Sequence, residues 1–269
     1  MSRMVRFIHI TDTHIGPHKD FTLYGRRPYE YLQVLIDQIN ALPFEVDFVL
    51  HTGDVVDDAN PISYELFRDQ ISRLRFPVRY AMGNHDHAGE LQTRLMESRT
   101  VLERVDYRFD IGGIRFVIVD TRGPFEPGGR VEQGQLDWLK TQCAPDGPPL
   151  VIGMHHVPTF LDTPWLDHPP RGWGGKFMFI DNASELLETI RPARSRIRGI
   201  FTGHVHGLFI TQVHGLMVCA GQSAFGPLQS YPHTDEVTVD HEQDVMFNLV
   251  TVTAEQTIIR PRTYSLSGG

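Results

Sequence analysis

The sequence predicts an α/β protein. In its first half, short apolar runs alternate with segments whose apolar residues recur every three or four positions. The first pattern is typical of buried strands and the second of amphipathic helices. The chain has 269 residues, of which 41% are hydrophobic and 22% charged, the composition of a folded domain with a sizeable core. We expect a single domain over residues 1–269.

The predicted elements follow in order along the chain. Strands are expected at 7–10, 46–50 and 77–82, with helices between them that begin at Pro28 and Pro61, because proline suits the first helical turn. Gly112 and Gly113 predict a hairpin turn between two further strands. Beyond the first three strands and two helices, the pattern predicts strands at 107–111, 115–119, 150–154 and 197–201 and helices at 132–141 and 181–190.

Two segments have a different character. Residues 156–180 are rich in proline, glycine and aromatic residues without periodicity, which predicts a substrate-side loop or lid. Residues 207–262 alternate in polarity and predict a C-terminal β meander. The strand edges of such a meander offer a surface for a homo-oligomer.

Charge and cysteine content limit the partners and the compartment. The net charge of −8 disfavours long nucleic acids and anionic membrane surfaces. No apolar run approaches the roughly 18–20 residues that a membrane span needs. Cys143 and Cys219 are too few for a disulfide framework, and the apolar stretch near the amino terminus is too short for a signal peptide. We therefore expect a cytoplasmic protein.

Metal-binding side chains follow the predicted strands. In an α/β sheet, the carboxyl ends of the strands meet in one crevice. Carboxylate, amide and imidazole groups without thiolate suit Mn, Fe, Zn or Co and do not choose among them. Five separate strand-end segments carry such groups, namely Asp12, His14, Asp54, Asn84, His85, His155, His204 and His206.

The order of these groups resembles a known family. The motifs are D-x-H at 12–14, G-D-x-x-D at 53–57, G-N-H-D at 83–86, His155, and G-H-x-H at 203–206. Together they resemble the calcineurin-like metallophosphoesterases, over residues 5–210. The chain length, the Met154-His155-His156 segment and the stretch 23–25 are most similar to the class III cyclic nucleotide phosphodiesterases and their glycerophosphodiesterase relatives. The resemblance implies a four-layer αββα sandwich of two mixed sheets flanked by helices.

The same resemblance implies a binuclear metal centre. It assigns Asp12, His14, Asp54 and His206 to one metal, and Asp54, Asn84, His155 and His204 to the other. Asp54 suits the shared position because a carboxylate can bridge two ions. His85 would face the phosphate and protonate the leaving oxygen. Asp57 matches the acid that pairs with this histidine and fixes its tautomer, although a turn or helix-start role stays open.

These groups predict a phosphodiesterase for small diesters, either cyclic nucleotides or glycerophosphodiesters. Two divalent ions can hold a bridging hydroxide for attack on phosphorus, and the net positive charge that remains attracts a diester monoanion. The alternatives are a phosphomonoesterase, a nucleotide-pyrophosphate hydrolase of the same fold, or a noncatalytic regulatory member. His51 and His156 have no assigned role. Substrate contact and core packing both stay open for the aromatic residues Tyr24, Phe160, Trp165 and Trp173.

Overall fold

Two mixed β-sheets form the centre of the protein. The structure is a computed structural model and describes residues 4–167 and 178–266. The first sheet contains β1 (Val5–Ile10), β2 (Phe48–His51), β3 (Val78–Tyr80), β10 (Val245–Val252) and β11 (Thr257–Tyr264). The second contains β4 (Tyr107–Ile111), β5 (Ile114–Ile118), β6 (Leu150–Gly153), β7 (Ile197–Thr202), β8 (Phe209–Val213) and β9 (Leu216–Ala220).

Each sheet combines a parallel part with antiparallel strands. The first sheet has the order β11-β10-β1-β2-β3, with β1, β2 and β3 parallel to one another. The second has the order β4-β5-β6-β7-β9-β8, with β5, β6, β7 and β9 parallel. Loops that leave the carboxyl ends of the central strands therefore gather at one edge of each sheet.

Helices cover the outer face of each sheet. The helices α1 (Pro28–Asn40), α2 (Pro61–Ile71) and α3 (Ala88–Arg94) precede β4, and α4 (Gln133–Gln142), α5 (Pro164–Asp167) and α6 (Ala183–Ile190) follow β5. A 3₁₀ turn at Arg191–Ala193 continues α6. Among the described residues, no helix is long and apolar enough to cross a membrane.

Strand periodicity explains the layers. In β1, Phe7 packs between the two sheets, whereas Ile8 packs against the helices of the first sheet. In β5, Phe116 packs between the sheets and Val117 faces the helices of the second sheet. Because alternate residues of a strand point to opposite faces, each sheet has one inner and one outer apolar face. The predicted four-layer αββα sandwich is confirmed.

The predicted C-terminal meander over 207–262 is wrong. The strands β8 and β9 form a hairpin in the second sheet, where β9 lies parallel to β7, and β10 and β11 form a hairpin in the first sheet beside β1. In β10, Leu249 packs toward the helices and Val250 toward the other sheet, so its alternation fits a buried central strand. Alternation predicts that a segment is a strand but not which strand it joins.

Two further segments differ from the prediction. Helix α3 was not expected, because it has seven residues and contains Gly89 near its start. Within the predicted loop 156–180, α5 forms a short helix and Val157 pairs with Phe179. Residues 168–177 of this segment, including Trp173, lie outside the described residues, so the lid stays a prediction.

We expect truncation of Phe116 to destabilise the sandwich strongly. Its ring packs edge-on against Phe7 and Phe48, with centroids 5.7 and 5.0 Å away, between the two sheets. Phe116→Ala should lower the free energy of unfolding by about 3–5 kcal/mol, because it leaves a cavity between the sheets. Chemical denaturation measures this loss. The matched change Phe160→Ala, at a side chain that is 65% exposed, should cost less than about 0.5 kcal/mol. Equal losses for the two variants would contradict this account of the core.

Candidate metal centre

The loops that follow five strands bring the predicted site residues together. Asp12 and His14 follow β1, and Asp54 follows β2. Asn84 and His85 follow β3, His155 follows β6, and His204 and His206 follow β7. The seven predicted ligands are buried, whereas the His85 side chain is 39% exposed. The site therefore combines a dry cluster of polar groups with one histidine that solvent can reach.

Acceptor atoms face one another around His155. Its Nδ1 donates to the Thr52 carbonyl at 2.7 Å, so Nε2 carries the lone pair of the neutral ring. This Nε2 lies 3.1 Å from Asp54 Oδ2, 3.2 Å from Asn84 Oδ1 and 3.1 Å from His204 Nδ1. The Nε2 atom of His204 is buried and has no hydrogen-bond partner among the described residues. While the His155 ring is neutral, no proton lies between these acceptors.

A second cluster surrounds His14. Its Nδ1 donates to Asp57 Oδ1 at 3.1 Å, which again leaves Nε2 with a lone pair. That Nε2 lies 3.1 Å from His206 Nε2, 3.8 Å from Asp12 Oδ1 and 3.6 Å from Asp54 Oδ2. Asp54 Oδ2 thus belongs to both clusters.

The two clusters fit bound cations. Buried carboxylates need a compensating positive charge. Burial disfavours the charged form of His14, but the neighbouring carboxylates of Asp12 and Asp57 outweigh it and raise its pKa to about 10. Burial is likewise outweighed at His155, where Asp54 raises the pKa to about 9. Positive charge is therefore favoured here, and the mixed oxygen and nitrogen donors suit divalent transition metals, with Asp54 Oδ2 in the shared position.

Hydrogen bonds from the backbone and from Thr11 orient the carboxylates of Asp12 and Asp54. Asp12 Oδ2 accepts from the Thr11 hydroxyl at 2.6 Å and from the backbone N–H of His204 at 3.0 Å. Asp54 Oδ1 accepts from the backbone N–H of His85 at 2.9 Å. Asp12 Oδ1 shares the His204 N–H at 3.2 Å and faces His14 and His206, and Asp54 Oδ2 faces His14 and His155.

The loops that carry the ligands have an unfavourable backbone conformation. Positive φ angles are uncommon outside glycine and are found where the surrounding structure enforces them. The backbone N–H groups of Asp12 and His14 donate to the carbonyls of Gly53 and Asp54, which ties the two loops together. Five of the seven predicted ligands have positive φ, namely Asp12 (52°), His14 (44°), Asp54 (53°), His204 (73°) and His206 (54°).

His51 positions two of these loops. Its Nε2 donates to the Thr13 hydroxyl at 3.0 Å, and its Nδ1 accepts from the backbone N–H of Gly53 at 3.3 Å. Burial lowers the pKa of His51 to about 3, so the ring stays neutral. Sequence reasoning had given this residue no role, because its partners are known only once the loops after β1 and β2 lie side by side.

His156 also has both ring nitrogens occupied. The Thr121 hydroxyl donates to its Nδ1 at 2.8 Å, and its Nε2 donates to the Pro127 carbonyl at 2.9 Å. Although His156 lies within ligand distance of His155 and His204, these bonds leave it no lone pair for a metal. It supports the loop at Pro127.

The predicted pairing of Asp57 with His85 needs a correction. His85 Nδ1 donates at 2.6 Å to the backbone carbonyl of Asp57, and the Asp57 carboxylate lies 4.0 Å away. That carboxylate instead contacts His14. The tautomer of His85 is therefore fixed by a main-chain atom, which the residue type at position 57 could not reveal.

The clusters form the base of an open cleft with about 660 Å³ of empty volume, including the solvent at its mouth. The polar residues His85 and Asp57 also line this cleft. Tyr24, Trp165 and Val237 supply apolar surface to it. A cleft lined by a few polar groups and by apolar side chains suits a small organic ligand.

Residues 5–208 match the family described as calcineurin-like phosphoesterase. The chain belongs to the calcineurin-like phosphoesterase family. It is therefore a metallophosphoesterase, and the predicted resemblance is confirmed. The match spans all five loops that carry the predicted ligands.

Relatives of known activity point in the same direction. The chain is 28% identical over 237 residues to a 3',5'-cyclic adenosine monophosphate phosphodiesterase from Pseudomonas aeruginosa, covering 88% of this chain and 81% of that protein. It is 32% identical over 166 residues to a cAMP/cGMP dual specificity phosphodiesterase from Mycobacterium tuberculosis, covering 58% and 51% of the two chains. A dimetal phosphatase from Danio rerio shares the fold, with a TM-score of 0.65 at 15% identity over 97% and 99% of the two chains.

We expect Asp54 to control metal binding. After removal of metal and dialysis against Mn²⁺, the wild-type protein should retain about two ions per chain and melt at a higher temperature than the metal-free protein. Asp54→Asn should retain fewer than about one ion, because it removes the charge that both clusters share. Elemental analysis and thermal melting measure these effects. Asp69→Asn, on the exposed surface of α2, serves as the control. Wild-type metal content in Asp54→Asn would rule out the shared role.

Proposed function

We propose that this metallophosphoesterase is a two-metal phosphodiesterase that hydrolyses small phosphodiesters, with cyclic nucleotides as the favoured class. One observation carries the proposal. Asp54 Oδ2 lies within 3.6 Å of His14 Nε2 and 3.1 Å of His155 Nε2, so two buried acceptor clusters share one carboxylate oxygen at the base of an open cleft.

The proposal assigns the ligands as the sequence predicted. Asp12, His14, Asp54 and His206 would hold one cation, and Asp54, Asn84, His155 and His204 would hold the other. A pair of divalent cations supplies an activated water and neutralises charge on the phosphoryl oxygens. Hydrolysis then adds water to phosphorus and breaks the ester bond to the leaving oxygen.

His85 is the proposed proton donor. Its Nδ1 is bonded to the Asp57 carbonyl, which leaves Nε2 as the nitrogen available to a substrate in the cleft. A protonated ring donates from both nitrogens, so the carbonyl at Nδ1 is compatible with proton transfer from Nε2. That proton would go to the alkoxide that leaves phosphorus.

The charge of the cleft supports a diester over a monoester. None of the described residues that line the cleft is lysine or arginine, and Asp57 adds a negative charge there. A diester carries one negative charge, whereas a monoester approaches two at neutral pH and has more charge to be compensated. The relatives named as cyclic nucleotide phosphodiesterases support the same class.

Compartment and assembly stay predictions. Cys143 and Cys219 are unpaired and buried, which is compatible with a reducing cytoplasm. A homo-oligomer would use the outer strands β3, β4, β8 and β11, which are the sheet edges.

A hydrolysis panel tests the proposed function. The metal-free protein is reconstituted with Mn²⁺ and assayed on bis(p-nitrophenyl) phosphate, p-nitrophenyl phosphate, 2',3'- and 3',5'-cyclic nucleotides and glycerophosphodiesters. We expect diester turnover that requires metal and exceeds monoester turnover by at least about tenfold, a difference of roughly 1.4 kcal/mol. Turnover of the monoester alone would make the protein a phosphatase. Inactivity on every substrate would favour a pyrophosphate hydrolase or a regulatory protein.

The role of His85 predicts a dependence on the leaving group. His85→Ala should lower kcat by about 10²-fold or more for cyclic AMP, whose alkoxide needs a proton, and by less than about tenfold for bis(p-nitrophenyl) phosphate. Metal content should be unchanged. The control is His87→Ala, because His87 caps α3 and does not line the cleft. Equal losses on both substrates would argue against proton donation.

A further inference from the structure

Tyr24 presents an aromatic ring to the cleft from a tight turn. Its φ angle is 51° and that of Gly25 is 73°, the left-handed pair that a two-residue turn between Leu23 and Arg26 requires. Tyr24 is 46% exposed and lines the cleft. Because the core does not enclose this residue, its ring is available to a ligand.

The turn that carries Tyr24 is held in place from both sides. Leu23 and Arg26 exchange backbone hydrogen bonds of 2.9 and 3.0 Å across it. The Arg26 guanidinium donates to the carbonyls of Phe225 and Asp240, at 3.3 Å each. The turn is thereby attached to the segment 225–240, which lies outside both sheets. The ring is exposed, but its position is fixed.

Tyr24 lies next to the proposed metal centre. Its ring is parallel to that of Phe225, with 6.5 Å between the centroids and 5° between the planes. The Phe225 ring in turn lies edge-on to His14 and His206, at 5.7 and 5.9 Å. One aromatic ring therefore separates Tyr24 from the acceptor cluster around His14.

The other apolar groups of the cleft are fixed as well. Trp165 is buried and donates from its indole nitrogen to the Gln229 carbonyl at 2.9 Å. Leu228 is buried beside it, and Val237 is 43% exposed. An apolar surface next to the charged acceptor clusters suits a substrate with a planar, uncharged group attached to its phosphate.

We propose that Tyr24 is the stacking platform for the nucleobase of a cyclic nucleotide and thereby strengthens the binding of substrates that carry a base. This inference rests on the proposed function, because it assumes that the phosphodiester binds at the acceptor clusters. Aromatic side chains stack on bases without requiring a particular base, so Tyr24 accepts both adenine and guanine.

Three variants and two substrates test this role. We measure KM and kcat for 3',5'-cyclic AMP and for glycerophosphoethanolamine in the Mn²⁺-loaded wild type, Tyr24→Ala, Tyr24→Phe and Phe160→Ala. For cyclic AMP, Tyr24→Ala should raise KM roughly fivefold to a hundredfold with kcat within about twofold. KM for glycerophosphoethanolamine should change by less than about twofold, since it has no base to stack. Tyr24→Phe keeps the ring and should behave as wild type, as should Phe160→Ala, which does not line the cleft.

Binding of a hydrolysis-resistant phosphorothioate analogue of cyclic AMP separates this inference from the proposed function. If the wild type hydrolyses neither substrate but Tyr24→Ala still weakens binding of the analogue, the proposed function fails and the stacking role stands. If the wild type hydrolyses cyclic AMP and Tyr24→Ala leaves KM unchanged, the stacking role fails alone. An equal rise in KM for both substrates in Tyr24→Ala would also overturn the stacking role. So would a Tyr24→Phe variant whose KM for cyclic AMP is as high as that of Tyr24→Ala.

Discussion

The carboxylate of Asp54 is the group on which the site depends. One of its oxygens accepts from the backbone of the loop after β3, and the other faces His14 from its own sheet and His155 from the opposite sheet. The space between the two sheets is filled by apolar side chains, so polar groups from both sheets meet where the central strands end. The hydrogen bond from His155 to the Thr52 carbonyl crosses this gap and fixes one sheet against the other.

This arrangement makes the metal-free site unfavourable in two ways. With neutral rings, lone pairs face one another at the base of the cleft, and five predicted ligand residues have left-handed backbone conformations. Each such conformation costs about 1–2 kcal/mol in an unconstrained chain. The aromatic core between the sheets, in which Phe7 packs on Phe48 at 5.2 Å, keeps the loops from relaxing. A bound cation would turn the repulsion into coordination, so metal binding and folding stability are coupled.

The sequence predicted all seven candidate ligands, but it did not predict the hydrogen bonds of the residues that position them. Each predicted ligand lies in a short motif directly after a strand, so the rule for strand ends groups these residues and the family resemblance assigns them to the two metals. The partner of Asp57 could not be predicted in this way, because its carboxylate reaches His14 while its main chain reaches His85. The roles of His51 and His156 depend on loops distant in the chain. Strand periodicity gave the buried faces of β10, but pairing depends on which sheet has a free edge.

The proposed reacting groups and the proposed base-binding group come from different parts of the fold. The acceptor clusters lie in loops directly after strands, where sheet geometry fixes their positions. The apolar groups that line the cleft come from the turn at Tyr24 and from segments outside the sheets, attached by contacts such as those of Arg26 and Trp165. A change in these apolar groups would therefore alter which substrate is favoured without moving an acceptor atom. Membership of the family thus establishes a metallophosphoesterase, whereas the substrate has to be inferred from the residues that surround the acceptor clusters.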